Sequence, residues 1–539
     1  MNLKLKIIFL FCVVTASAVT AQNVIANQYS QGTTGNNGAW NIIFDENGNY
    51  YQLTSVTFNS SSQTMGSFSV QQRGSSFSIL SKFSSSHNLI WSKSYGGDST
   101  DILTSFVKSQ DGFLLCGSSN SSVSGTKTVP SNGHYHIWLQ KIGYDGEVIW
   151  QKGYFTNNDV TFSEIGAIGN DEFLISSYTN SGISGDKTTN GYGGLDGWLL
   201  KIDGEGNKIW DVSIGTEYND FGFSFGGYFD NGDALIFTNS MQGASGSKSE
   251  NNYGDFNFWL VRLDSSTGEL VWDKTIGSGG VGESLGNIKI INNEIFMFVS
   301  SGSGISGLRT VEKKGLEDIW FVHLNENAEI LSQKSFGGDL YESGCTFTDK
   351  NNNILLAIGS NSNTSIDKSE DSRGGRDIWF LKLDLDGNIL SQKTIGGNGT
   401  DFPTNIVVQP NGNYLVSSQS ESGVSGEKNT PRISTAYSDV WILELDAITL
   451  NVENLNEQNN NFLIYPNPSF NECNIAFDEP VDLRNAILYD NSGRIVLQKE
   501  FQSGKKSNYL LNVSSLAKGN YTLVLEGSDF NKTHQLVVE

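Results

Sequence analysis

The chain has 539 residues, with 35 Lys and Arg against 58 Asp and Glu, so its formal net charge is −23. This charge argues against nucleic-acid binding and against adhesion to an anionic membrane, because both need clustered basic side chains. Gly is abundant at 60 residues, Pro is rare at 7, and hydrophobic residues make up 37% of the chain. The composition therefore excludes a disordered or collagen-like protein.

The first 21 residues have the pattern of a secretory signal peptide. Lys4 and Lys6 precede an apolar run at 7–14, and small residues follow up to Ala21. The run is too short for a membrane span, and no later apolar stretch approaches the ~20 residues that a spanning helix needs. We therefore expect an exported protein without a membrane span in its mature form.

The mature chain has three cysteines, which are Cys116, Cys345 and Cys473. An odd number argues against a disulfide scaffold. The histidines are scattered, and the one close pair, His134 and His136, has no further His or Cys nearby at the spacing that metal sites need. These residues predict no metal or other cofactor.

A repeat of about 60 residues fills the middle of the chain. Its most regular position is a large apolar residue inside a strand-like alternation, which suits packing between sheets. Each unit contains four short strand candidates, and such units repeated around a ring are typical of a β-propeller. The anchors are spaced by 59, 60, 61, 61, 59 and 62 residues, at Ile79, Trp138, Trp198, Trp259, Trp320, Trp379 and Trp441.

The number of strands predicts how the ring closes. First, second and third strands each occur seven times, but a fourth strand follows its third strand only six times. The missing strand lies at the start of the mature chain, where residues 24–32 align with 389–396, Gln28 with Gln392. We therefore predict an all-β fold with a seven-bladed β-propeller over residues 22–447, closed by the N-terminal strand.

One repeat unit carries a recognisable order of motifs. Gly396-Gly397 is followed by Asp401 and then by the turn Pro410-Asn411-Gly412-Asn413 before an apolar strand. This order resembles the SBBP and delta-60 classes of bacterial extracellular propeller repeats. The resemblance implies the propeller fold and an extracellular setting, and it implies no ligand.

One face of the propeller is the expected binding surface. Loops after the second and fourth strands open on the same face, and the loops after the second strand are long. Binding residues usually lie on such loops, which a rigid scaffold positions. Aromatic side chains in these loops could stack on sugar rings. Alternatively, they pack on neighbouring residues of their own loops. The five candidates are His134, Tyr135, Tyr192, Tyr253 and Tyr437.

Charged residues recur on this face in two patterns. The long loops contain Ser-Gly-x-Lys or Ser-Gly-x-Arg, whose basic side chain we expect to pair weakly with surplus carboxylates at the surface. The fourth-to-first-strand loops each carry an acidic residue, which could hold a cation such as Ca²⁺ or could accept N–H groups of its own loop. Because the acidic residue recurs in nearly every unit, we favour the interpretation that each one accepts N–H groups of its own loop. These residues are Asp101, Asp220, Glu283, Glu342 and Asp401, with Asp159 as the nearest counterpart in a sixth unit.

The last part of the chain differs in composition and begins after a predicted linker at 448–461. Residues 462–539 alternate with period two between Gly and Asn turns, which predicts a small antiparallel β-sandwich. Four motifs occur there in order: Tyr465-Pro466-Asn467-Pro468, then L-Y-D-x-x-G-R around Gly493, then L-x-x-G-x-Y around Gly519 and Tyr521, then an apolar last strand.

This order resembles the type A C-terminal sorting domain of the type IX secretion system. The resemblance implies the secretion machinery as partner and export across the outer membrane of a Gram-negative bacterium. The protein would then be released or attached to the cell surface.

Two classes of function remain open. Near-uniform repeats favour a non-catalytic secreted or cell-surface protein that binds a glycan or a protein. The alternative is a secreted glycan-active hydrolase or lyase, or a quinoprotein-like enzyme, with its site at the channel mouth. An enzyme needs a blade that departs from the repeat with converging acid and base groups. The sequence gives no such blade, so we predict no catalytic residue.

Overall fold

The computed structural model describes residues 25–33, 36–58, 65–241, 243–280, 283–434, 437–446, 462–490, 494–527 and 531–538. The predicted signal peptide and linker lie outside these residues. The chain divides into two compact units between Glu453 and Asn454. The described residues contain no helix that could cross a membrane.

The first unit contains seven four-stranded antiparallel sheets, each with its strands in sequence order except the last. We number the sheets as blades 1 to 7 in chain order. The first strand of the chain, β1 Ile25–Gln31, precedes blade 1. Blade 1 comprises β2 Asn36–Phe44, β3 Tyr50–Thr57, β4 Ser76–Phe83 and β5 Leu89–Tyr95; blade 2, β6 Asp101–Ser109, β7 Gly112–Ser119, β8 His136–Gly143 and β9 Val148–Tyr154; blade 3, β10 Val160–Gly169, β11 Glu172–Thr179, β12 Asp196–Ile202 and β13 Lys208–Ile214; blade 4, β14 Phe221–Tyr228, β15 Ala234–Ser240, β16 Asn257–Leu263 and β17 Leu270–Ile276. Blade 5 comprises β18 Glu283–Ile291, β19 Glu294–Ser301, β20 Asp318–Leu324 and β21 Ile330–Phe336; blade 6, β22 Glu342–Lys350, β23 Asn353–Ser360, β24 Asp377–Asp384 and β25 Ile389–Ile395; blade 7, β26 Asp401–Val408, β27 Tyr414–Ser420, β28 Asp439–Leu445 and, as its outer strand, β1 Ile25–Gln31.

The blades form a closed ring. The first strand of each blade contacts the first strands of both neighbours, including β26 with β2, so the first strands are innermost and surround a central channel. The outer strand β1 pairs antiparallel with β28, with Gln28 opposite Leu443. In blade 6, Gln392 lies opposite Leu381 in the same way. The seven-bladed propeller and its closure by the N-terminal strand are therefore confirmed.

The repeated tryptophan is fully buried on the third strand of six blades and has a polar partner on the fourth. The indole N–H of Trp379 donates to Gln392 Oε1 at 3.0 Å, and that of Trp441 donates to Gln28 Oε1 at 3.1 Å. A buried indole N–H needs such an acceptor. Blade 1 has Ile79 instead of Trp, and the residue at the glutamine position there is Ser92.

The second unit is a small β-sandwich, as predicted. One sheet has the order β29-β30-β33 and the other β32-β31-β34-β35. Side chains from both sheets, such as Leu511 and Leu523, form one buried core. The strands are β29 Phe462–Tyr465, β30 Glu472–Val481, β31 Leu483–Tyr489, β32 Ile495–Glu500, β33 Lys506–Asn512, β34 Gly519–Gly527 and β35 Asn531–Val538.

Candidate functional site

The turn that contains the Ser-Gly-x-Lys or Ser-Gly-x-Arg motif joins each blade to the one before it, although blade 1 has Met65-Gly66-Ser67-Phe68 in this turn and blade 6 has Ile366 in place of the glycine. In blade 2 the motif is a tight turn bridged between Ser124 and Lys127, with Gly125 at φ +57°. The next N–H, that of Thr126, donates to the carbonyl of Gly96 at the end of blade 1, at 3.0 Å. The same bond occurs at all seven joints, with the carbonyls of Gly32, Gly96, Phe155, Gly215, Gly277, Gly337 and Gly396 as acceptors.

The basic residue of the motif is buried, so the expectation of a weak surface ion pair is wrong. Lys127 is 1% exposed, and its Nζ donates to the carbonyls of Ser121 at 2.8 Å and Val129 at 2.6 Å. Burial lowers the pKa of Lys127 to about 8. The loop carbonyls therefore form an acceptor cage around the ammonium group, which fixes the long loop.

The recurring carboxylates at the starts of the first strands are also buried, and they are hydrogen-bonded within their loops. Asp101 accepts the N–H of Gly97 at 2.6 Å and the hydroxyl of Ser121 at 2.6 Å. Glu342 accepts the N–H of Gly338 at 2.8 Å. Asp220, Glu283 and Asp401 accept equivalent N–H groups from Thr216, Ser278 and Gly397.

These hydrogen bonds support the loop-fixing interpretation over a cation ring. Asp159 stands apart, because it is exposed and precedes the strand, where it accepts the N–H of Tyr135 at 2.8 Å. Within the described residues there is no group of three or more His, Cys, Asp or Glu side chains that could hold a metal ion.

At several joints, a carboxylate at the start of a third strand faces the carboxylate at the start of the next blade's first strand. Asp377, which begins the third strand of blade 6, lies beside Asp401 of blade 7, and one oxygen of each has no hydrogen-bond partner among the described residues. Burial, together with the charge of Asp401, raises the pKa of Asp377 to about 6. In blade 4 the same position is Asn257, whose Nδ2 donates to Glu283 Oε2 at 3.0 Å.

The five aromatic candidates are distributed over blades 2, 3, 4 and 7. Tyr192 and Tyr253 occupy equivalent positions, because their N–H groups donate to Asp196 and Asn257 at the start of the next strand. The ring of Tyr192 lies close to Gly246 in the motif turn of blade 4, so it covers a joint.

The remaining candidates lie in blades 2 and 7. His134 and Tyr135 flank Asp159, with His134 Nδ1 at 3.4 Å from the carboxylate. Tyr437 receives a hydrogen bond at its carbonyl from Arg432. The five candidates thus belong to separate loops, and none of these contacts assembles them into one site.

An aromatic cluster that the sequence analysis missed lies at the channel mouth between blades 3 and 4. Phe162 stacks on Tyr178 with ring centroids 6.4 Å apart, and Tyr178 meets Phe221 edge-on at 6.1 Å. Phe162 and Phe221 are near the starts of first strands and Tyr178 is near the end of a second strand, so all three lie at the long-loop end of the channel. Phe221 is 43% exposed.

The joint between blades 6 and 7 shows why Phe221 is exposed. There the equivalents of Phe162 and Tyr178 are Gly344 and Gly359, and the ring of Phe402 occupies the space next to both glycines. In blade 3 that space is filled by the two aromatic rings, so Phe221 projects outward. Phe162 has φ +49°, a left-handed conformation that the glycines Gly222 (+67°) and Gly344 (+62°) adopt in other blades. Aligning the first strands would have revealed this departure.

The sorting motif fixes the last strand of the second unit. Asn467 Oδ1 accepts the N–H of Val537 at 2.9 Å, and the N–H of Ser469 donates to the carbonyl of Val537 at 2.7 Å. Tyr521 donates its hydroxyl to the carbonyl of Ala517 at 2.6 Å, just before Gly519 begins β34. Tyr465 is the last residue of β29, Pro466 and Pro468 lie in the segment after it, and Gly493 lies outside the described residues.

The protein is therefore a seven-bladed β-propeller that carries a small C-terminal β-sandwich. Residues 463–539 match the family model described as the secretion system C-terminal sorting domain. This tail indicates export through the type IX secretion system, to the extracellular space or the cell surface.

The chain is similar to several solved structures at low identity. The WD40 domain of Neurospora crassa Pan2 is 11% identical, with 78% of this chain and 95% of that chain covered and a TM-score of 0.40. A protein of unknown function from Dyadobacter fermentans is 11% identical, with 78% and 99% covered and a TM-score of 0.38. Likenesses at this level carry no functional argument. No curated protein matches the chain.

Proposed function

We propose that this protein is a non-catalytic binding protein of the cell exterior, and that it binds a glycan at the channel mouth between blades 3 and 4. The observation that carries the proposal is the exposed ring of Phe221 beside Phe162 and Tyr178. Sugar rings have flat C–H faces that stack on exposed aromatic rings, with polar groups beside them to bind hydroxyls.

A polar group of the right kind lies next to Phe221. Asn239 pairs with Phe221 across the strands β14 and β15, and its amide oxygen is buried without a hydrogen-bond partner among the described residues. A buried acceptor without a partner is uncommon in a stable fold. A ligand hydroxyl that donates to Asn239 would satisfy it.

The strained backbone of Phe162 adds support. A bulky residue in the left-handed region is disfavoured by roughly 1–2 kcal/mol relative to the ordinary conformation. Such outliers cluster at functional sites, where the surroundings hold them in place. Glycine would remove the strain, as it does in blades 4 and 6, but it would also remove the ring.

An enzyme is the weaker alternative. Two carboxylates of this joint, Asp196 and Asp220, are buried and accept loop N–H groups at 2.7 Å. A carboxylate that is buried and accepts hydrogen bonds from its own loop does not face a substrate, whereas glycan hydrolysis needs two carboxyl groups that do. The SBBP-like and delta-60-like repeats and the sorting tail support an extracellular protein of a Gram-negative bacterium for either class.

The test compares two phenylalanines at the same repeat position. We expect Phe221→Ala to weaken binding on a glycan array by about five- to thirtyfold, because a lost stacking contact is worth roughly 1–2 kcal/mol. Phe402→Ala should lower the melting temperature through the cavity it leaves but keep the glycan affinity.

The outcomes separate the alternatives. Wild-type affinity in Phe221→Ala would contradict the site, and release of reducing ends from any polysaccharide would show an enzyme. Binding of protein partners with no glycan bound would replace the glycan by a protein ligand.

A further inference from the structure

A single carboxylate lies in the channel wall next to the aromatic cluster. Glu164 follows Phe162 by two residues on β10, which places it roughly 7 Å further along the strand, into the channel. Its oxygens lie 3.4 Å from Ser224 Oγ and 3.4 Å from the N–H nitrogen of Phe225, both on blade 4. Both distances are at the long limit for hydrogen bonds.

Glu164 is the one acidic residue at this position of the repeat. At the other joints the equivalent side chains are neutral, and two of them donate to the next blade: Asn41 Nδ2 to the carbonyl of Phe106 at 3.3 Å, and Ser105 Oγ to that of Ile165 at 3.3 Å. An ionised carboxylate has no hydrogen to donate, so Glu164 in its charged form does not reproduce this bond. The neutral equivalents are Asn41, Ser105, Ser224, Asn287, Thr346 and Asn405.

The charge of Glu164 is poorly compensated. It has no salt-bridge partner within 4.0 Å among the described residues, and burial raises its pKa to about 7. A poorly compensated carboxylate in a protein wall gains most from a cation that approaches it. The rings of Phe162, Tyr178 and Phe221 add to this preference, since aromatic faces also attract cations.

We infer that the glycan carries a free amine, so that a de-N-acetylated amino-sugar residue stacks on Phe221 while its ammonium group pairs with Glu164. This inference rests on the proposed glycan function and specifies the ligand class of that same site. A neutral sugar can stack on the aromatic rings but leaves the charge of Glu164 without an ion-pair partner. An N-acetylated sugar has no positive charge and adds bulk at the same atom.

The experiment measures three oligosaccharides against the full-length protein by calorimetry at physiological ionic strength. The probes are a glucosamine hexamer, an N-acetylglucosamine hexamer and a cellohexaose. We expect the glucosamine hexamer to bind at least about tenfold more tightly than either neutral oligomer, as for a charge-assisted hydrogen bond. Glu164→Gln should remove that preference, and Phe221→Ala should weaken the glucosamine hexamer as well.

The control accounts for the acidity of the protein, which attracts any polyamine. Glu172→Gln removes a carboxylate of the same blade that lies at the opposite end of its strands and pairs with Lys201 at 2.8 Å. It should leave the preference for the amine unchanged. Melting curves of all variants check that each one is folded.

Each other result overturns the inference. Glycan binding without preference for the amine, or an amine preference that survives in Glu164→Gln, refutes the role of Glu164 and leaves the glycan function standing. Binding of lysine-rich peptides at this site, with no glycan bound in the array either, refutes both.

Discussion

The buried carboxylate pair between blades 6 and 7 should make the wild-type propeller less stable than one of its point variants at neutral pH. Asp377 and Asp401 lie side by side, and one oxygen of each has no hydrogen-bond partner among the described residues. Asp377→Asn keeps an acceptor for the N–H of Arg373 and places an amide donor toward Asp401. Blade 4 already contains this arrangement in Asn257 and Glu283.

The magnitude follows from the pKa of Asp377, which burial and the charge of Asp401 raise from 3.8 to about 6. Since the folded state binds the proton more tightly than the unfolded state, ionisation costs stability fully above about pH 6, and the cost disappears as the pH falls toward 4. A shift of about two units sets an upper limit of roughly 3 kcal/mol. We therefore expect Asp377→Asn to stabilise the propeller by about 1–3 kcal/mol at pH 7.5.

The measurement is thermal unfolding at pH 7.5 and at pH 4.5. For a unit of roughly 400 residues the gain corresponds to a rise in Tm of about 1–4 °C at pH 7.5, and it should be smaller at pH 4.5. The reverse change Asn257→Asp recreates a carboxylate pair in blade 4 and should lower the Tm at pH 7.5. A lower Tm for Asp377→Asn, or a gain that is equal at both pH values, would refute the reasoning.

Two further predictions concern the motif turn and the tail. Ile366 has φ +47° at the turn position where the six other blades have glycine at +56° or +57°. Ile366→Gly should therefore raise the free energy of unfolding by about 0.5–1 kcal/mol, and a Tm equal to or below that of wild type would contradict the strain. Deleting residues 462–539 should retain the propeller in the periplasm, as cell fractionation would measure, and normal appearance outside the cell would contradict the role of the sorting tail.

The fold was predictable because the features that specify it repeat along the sequence. Each Trp marks a third strand, and the polar residue that accepts its indole N–H marks a fourth strand. The alignment of Gln28 with Gln392 predicted the ring closure, and the structure shows the physical reason for the match, since both side chains accept an indole hydrogen bond. A chemical requirement repeated in six of the seven blades is visible without coordinates.

The environment of the motif lysine was not predictable in this way. A charged residue in a polar loop favours a solvent-exposed assignment, because burial of an ammonium group is costly without acceptors. The acceptors around Lys127 are main-chain carbonyls such as that of Val129. Carbonyl directions depend on the loop conformation and leave no mark in the residue types, so the sequence could not show this cage.

The aromatic cluster was missed for another reason. Phe162 and Tyr178 belong to blade 3 and Phe221 belongs to blade 4, and each residue alone looks like an ordinary strand position. Their proximity depends on the joint between blades, which brings together residues up to 59 positions apart in the chain. The sequence analysis sought aromatics in the long loops, whereas these three lie on the strands that surround the channel.

The distribution of departures from the repeat argues for a function at this joint. Features that maintain the ring, such as the motif turn with its N–H to carbonyl bond, occur at all seven joints. At the joint of blades 3 and 4, a phenylalanine adopts a conformation that glycine adopts elsewhere, and a carboxylate replaces a neutral side chain two residues later. Each change disfavours the folded state by itself, and neither compensates the other. Two such changes at neighbouring positions are hard to explain by their effect on stability, and a ligand that contacts both the ring and the carboxylate accounts for them together.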